Sequence, residues 1–250
     1  MARALRRTLP VTIFWAVAFL LMAMAGTAHA QEFNLDLGED GTLTGRLVQL
    51  MALVTLVTLA PSLLITMTSF TRIVIVLGLL RSAIGVQQTP PNTVIIGLGL
   101  FLTAFVMGPT FEKIYDEGIQ PLLAQEITEV EAFQRSVAPV HEFMRTTVRE
   151  KDLALFMELA DIEEPATIEE TPLRALMPAF MVSELKRAFE IGFLIFVPFI
   201  VIDMVVASVL MSMGMMMLPP IMISLPFKLI FFVLVDGWSL VATSLVQSFG

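Results

Sequence analysis

The hydrophobic positions of this chain fall into long unbroken runs toward its two ends and into helical spacing in the middle. After Arg3, Arg6 and Arg7 no charge occurs from Thr8 to Ala28, and a second charge-free run of 25 residues extends from Leu47 to Thr71. As a helix the second run is about 37 Å long, enough to cross a bilayer with some tilt, and Pro61 predicts a kink in it. The stretch Arg72 to Arg81 (RIVIVLGLLR) is apolar between two arginines, which a lone lipid-facing helix tolerates poorly. A connecting loop, SAIGVQQTPPN, ends in Asn92, the predicted N-cap of a helix from Thr93 to Met107 that Gly108-Pro109 stops.

From Pro109 to Gly192 the pattern changes to amphipathic helices, with 17 acidic and 8 basic residues. Thr128 and Glu131 form a capping box ahead of Val130, Phe133 and Val137, which are spaced to share a packed face. A second helix is predicted from Pro139 with Val140, Phe143, Met144 and Val148, and a third from Asp152 with Leu153, Phe156 and Leu159. Residues 161–171 (DIEEPATIEET) have few apolar anchors and predict a mobile loop. Thr171 as cap and Pro172 at the first helical position restart helix.

The last block opens a helix at Pro178-Ala179-Phe180. Its polar residues Ser183, Glu184, Lys186, Arg187 and Glu190 fall away before Phe193, and it runs through Pro198 and Asp203 into Met211, Met213, Met215, Met216 and Met217. Pro219 and Pro220 force a turn. A return helix, Ile221 to about Val246, carries Pro226, Lys228 and Asp236. The methionines therefore sit at a hairpin tip, as gap fillers at a helix end or as a soft surface that closes against changing shapes. Measured from the proline pair, Asp203 and Asp236 lie at equal height, while Lys228 faces the level of Met211. No Asp-Lys pair within the hairpin is expected. Arg72, Arg81, Asp203, Lys228 and Asp236 are the charges within apolar surroundings, each costly at membrane depth.

Composition supports a lipid environment: the 250 residues are 56% hydrophobic and 15% charged, with mean hydropathy +0.84. The expected fold is all-α, an integral membrane protein of kinked helical hairpins with an inserted helical periplasmic domain. Residues 1–30 predict a signal peptide, cut after Ala28-His29-Ala30, which takes the formal charge from −8 to −11. Residues 31–108 hold an acidic N-terminal segment and the first two apolar helices, 109–177 the acidic domain, and 178–250 the Met-tipped hairpin. Arg72 and Arg81 lie between acidic flanks, so the positive-inside rule puts them in the cytoplasm and the acidic domain outside. The acidity argues against nucleic acid as a partner. With no cysteine, a lone His141 after signal cleavage and no nucleophile or metal-binding motif, no enzyme, metal or cofactor is expected.

PAFMVSELKRAFEIGF (178–193) resembles the signature of the FliP family, flagellar type III export-gate proteins whose injectisome counterpart is SctR. MTSFTRIVIVLGLLRSAIGVQQTPPN (67–92), MGMMMLPP and LPFKLIFFVLVDGW (225–238) resemble the family's other blocks, and only residues 110–171 look unfamiliar. The resemblance implies a bacterial inner-membrane protein of the flagellar basal body, pentameric, assembled with FliQ and FliR and working beside FlhA and FlhB. It implies a pore for unfolded export substrates, a gasket made by the Met-rich tips, and hairpins that sit largely above the bilayer plane. Within the signature, Pro178, Phe180, Glu184, Arg187, Phe189 and Gly192 are the candidate contacts between copies. Glu184 and Arg187, one turn apart, are placed to pair locally or with a neighbour. Two other classes stay open: an ion-coupled solute transporter with Asp203, Asp236 and Lys228 as relays, and a passive scaffold.

Overall fold

The computed structural model describes residues 43–86, 88–162, 170–215 and 217–249. The predicted signal peptide and the acidic segment after it lie outside the described residues. The chain divides into two compact units, 1–55 and 56–250. Of the first, only the opening half of α1 (Leu43–Thr66) is described; all packing reported below lies within the second.

Every regular element among the described residues is helical. After α1 come α2 (Phe70–Ile84), α3 (Asn92–Val106), α4 (Gly108–Ile114), a π-helical turn at Tyr115–Ile119, α5 (Gln120–Leu123), α6 (Glu129–Thr147) and α7 (Glu150–Leu159). The 40-residue α8 (Leu173–Ser212), α9 (Pro220–Leu234) and α10 (Gly237–Gln247) complete the chain. α8 organises the unit, because each of three buried clusters uses one stretch of it. Leu176, Ala179 and Phe180 pack with Met144, Leu153 and Met157 of α6 and α7. Ala188 meets Ile73, Val76 and Ile95 of α2 and α3. Phe199 meets Leu80 and Ile84 of α2 and Phe232 of α9. The α2–α8 crossing is close enough that a Cβ on Gly192 would stand 2.2 Å from Leu79 Cδ1, so a side chain there has to displace Leu79.

Several predicted boundaries shift. The first run is broken at Met67–Ser69, and Arg72 to Arg81 is helix, inside α2. Asn92 is the first helical residue rather than the cap; its Oδ1 accepts from Arg81 Nη1 at 2.7 Å. Gly108-Pro109 does not end helical structure but redirects it, with a 62° bend between 92–106 and 108–123. The Thr128 cap forms, its hydroxyl accepting from the Glu131 amide, yet Val130 and Phe133 point outward, Phe133 being 70% exposed. The side of α6 that is packed is the one facing Gly118, where a Cβ on the glycine would stand 2.2 Å from Ser136 Oγ and 3.2 Å from the Ala132 carbonyl oxygen, so Ala132 and Ser136 face inward there. Pro139 starts no helix but is buried inside α6, and Pro178 likewise lies inside α8. Pro172 rather than Thr171 precedes the first turn of α8; the Thr171 carbonyl instead accepts from His141 Nε2 at 2.7 Å. Most of the predicted acidic loop, 163–169, lies outside the described residues.

The return helix is the largest departure, because it is two helices bent by 64°. Asp236 takes the left-handed conformation (φ 50°, ψ 50°) at the break, and Gly237 follows beneath the Phe232 ring. By length and composition α8 can cross a membrane, as can the two bent pairs if each is one span.

Candidate functional site

The tip is built by the end of α8. Gly214 sits two residues past the helix, just after the C-cap Met213, with φ +73°, its amide bonded to the Met211 carbonyl and the Met215 amide to the Leu210 carbonyl. This pair of bonds is a Schellman closure, which asks for glycine at the left-handed position. No other atom crowds Gly214, so backbone conformation alone selects it. Pro219 then leads into α9, with Pro220 at its first position, where a missing N–H costs nothing. Met211, Met213, Met215 and Met217 are all exposed, Met217 at 98%, while Met216 lies outside the described residues. Behind the tip, α8 and α9 enclose an open groove of about 510 Å³ lined only by apolar side chains, among them Val205, Val209, Phe227 and Phe231.

Two ion pairs stand beneath. Lys228 is 4% exposed and its Nζ lies 2.6 Å from Asp203 Oδ2, while Asp203 Oδ1 accepts from Ser224 Oγ at 2.5 Å. Lys228 Nζ also points to the Ala83 carbonyl at 3.4 Å, in the last turn of α2, where the helix dipole favours a cation. The expectation that Asp203 and Lys228 would miss each other is therefore wrong. Counting height from Pro219-Pro220 misplaces the α8 arm, because α8 stops at Ser212 whereas α9 starts at Pro220 itself. Counted from the helix ends, Asp203 and Lys228 stand nine and eight residues from the tip. Asp236, expected opposite Asp203, is exposed at the α9–α10 break.

Arg72 and Glu184 are both fully buried and face each other in a two-pronged pair; Arg72 Nε donates to Glu184 Oε2 at 2.8 Å and Nη2 donates to Oε1. Arg72 Nη1 donates to the Ser248 carbonyl at 2.8 Å and to its hydroxyl at 3.0 Å. Glu184 thus pairs within the chain with Arg72 of α2 rather than with Arg187, and Arg72 cannot count as a loop charge, which leaves Arg81 alone to carry the orientation argument. Among the other proposed contact residues, Phe180 and Gly192 are buried within the chain, Pro178 and Arg187 are half-buried, and Phe189 is exposed. Arg81 holds its loop, donating to the Pro90 carbonyl at 3.1 Å and to Asn92.

A third polar cluster was not anticipated, although Arg149 and Asp152 have the i,i+3 spacing of a helical ion pair; only Ser183, 31 residues on, lacks a local signal. Asp152 accepts two 2.8 Å bonds from Arg149 and one of 2.6 Å from Ser183 Oγ, which joins α7 to α8. The Arg149 bonds hold the Asp152 carboxyl below the usual range, against the opposing effect of burial, and the Ser183 bond adds to them. Among the described residues no group of three acids or histidines is placed to hold a metal.

Among the described residues the buried charges are paired with one another, and the longest apolar helix ends in an exposed methionine tip. The chain belongs to the FliP family, which it matches over residues 53–245. It is 61% identical to the flagellar biosynthetic protein FliP of Caulobacter vibrioides, over 99% of this chain and 93% of that one. Identity to the protein of the same name is 54% in Bacillus subtilis, covering 86% and 98% of the two chains, and 49% in Rhizobium meliloti, covering 92% and 96%.

Proposed function

We propose that this chain is a membrane subunit of the flagellar type III export gate, assembling in several copies with FliQ and FliR around a path for unfolded flagellar subunits. The relatives' common name, flagellar biosynthetic protein, favours the flagellar over the injectisome branch. α8 is about 60 Å long, roughly twice the hydrocarbon core of a bilayer, so a spanning α8 must leave much of its length in water. The half that carries the exposed Lys186 and Glu190 suits that place, with the acidic helices on the periplasmic side.

The observation that carries the proposal is the tip. Met211, Met213, Met215 and Met217 leave much of their surface exposed around a glycine-closed helix end, and several such tips converging on one axis form a compliant ring held by dispersion contacts. Replacing Met215, Met216 and Met217 together with alanine should shrink that ring and make cells leaky to small ions. Conductance and salt sensitivity unchanged from wild type would dispose of the gasket.

A further inference from the structure

The two residues after α10 tie together parts of the chain that sequence keeps far apart. Ser248 takes the remaining Nη1 donor of Arg72, and the Arg72 guanidinium lies over the Phe249 ring, 3.7 Å from its centroid. Phe249 also stacks on Phe143 of α6, with centroids 6.2 Å apart and planes 24° from parallel. Phe143 in turn meets Phe180 of α8 edge-on at 6.0 Å. One short segment therefore touches α2 and the acidic helices at once, and it does so over the buried Arg72–Glu184 pair. At its other end α10 is set off from α9 by the 64° break, with Asp236 left-handed and Gly237 beside it. α10 itself packs on the α2–α8 core through Leu245 and Val241, with the bend at one end and Ser248–Phe249 at the other.

We propose that Ser248–Phe249 is a strap through which α10 and the acidic helices are mechanically coupled, so that unseating α10 loosens α6. The physical driving force is the Arg72 guanidinium. With the strap in place its Nη1 donor and its ring-facing surface are satisfied; with the strap lifted, a buried donor and a desolvated cation lose their partners, which is far costlier than losing a bond in water. The strap therefore stays seated while Arg72 is held by Glu184. Because Phe249 fills the space beside Phe143, α6 loses an aromatic partner whenever the strap leaves. The inference does not depend on the export reading, since every contact in it lies within one chain.

Amide hydrogen exchange on the full chain in detergent micelles tests it. Phe249→Ala should speed exchange in residues 140–147 on the order of tenfold, the equivalent of one lost aromatic contact, while residues 222–232 of α9 keep wild-type rates. Phe143→Ala should do the same, and combining the two should add little. Faster exchange confined to residues 237–249 would overturn the coupling, as would effects of the two substitutions that simply multiply. If alanine at either position abolishes helical structure, the same cycle built with leucine is read by the same criterion.

Discussion

Asp152 shows how a single carboxylate fastens the acidic helices to α8. Its folded-state pKa is depressed, chiefly by the Arg149 hydrogen bonds, so its contribution to stability is complete above the ordinary carboxylate range and is lost as pH falls through the lower folded value. Thermal unfolding of Asp152→Asn should therefore differ from wild type at neutral pH and converge on it in strong acid; curves separated by a constant interval at all pH values would contradict this. The Arg72–Glu184 pair predicts a different signature, because neither group has access to water. Glu184→Gln leaves a buried cation with a neutral partner and should cost about 3–5 kcal/mol in denaturant unfolding, whereas Arg72→Met with Glu184→Leu, which removes both charges, should cost much less. Equal losses from the single and double changes would mean that packing, not charge, holds this position.

Within the helices, the turns obey local chemistry more faithfully than the faces do. Gly214 closes α8 by conformation alone, so Gly214→Asn should be tolerated and Gly214→Val should cost about 1–2 kcal/mol in unfolding free energy without altering any side-chain contact. What was legible beforehand follows the same division. The Thr128 cap, the helix through Pro198 and the tip at Pro219-Pro220 rest on neighbours in sequence, and all are present. The inward face assigned to Val130 and Phe133 failed because Gly118, a residue from another element, decides which side of α6 is packed. The break at Asp236 was hidden for a related reason: an apolar run carries no mark of direction, and aspartate before glycine at 236–237 is the only local hint of a left-handed turn. Arg72 and Glu184 are 112 residues apart, and no spacing rule joins them.

The Asp203–Lys228 pair binds three helices, and its wider geometry sets what substitution can achieve. Asp203 stands on α8 and Lys228 on α9, and the lysine also reaches the Ala83 carbonyl at the end of α2, so one ammonium closes the hairpin and caps a helix. Lys228→Met keeps the volume but leaves Asp203 with Ser224 alone, and it removes the cation from the α2 terminus. It should weaken the chain as a monomer, before any assembly is asked of it. Exchange of the two charges separates these roles. Asp203→Lys alone sets two cations against each other, and Lys228→Asp alone sets a carboxylate against a carboxylate and against the Ala83 carbonyl; both should fail to accumulate as folded protein. The double exchange restores the attraction across the hairpin but still directs an anion at the negative end of α2, so it should recover folded protein only in part. Detergent-extracted yield and thermal stability of the four forms measure this. Full recovery by the double exchange would show that Lys228 serves the hairpin alone, and no recovery would show that the cap on α2 matters more than the pair.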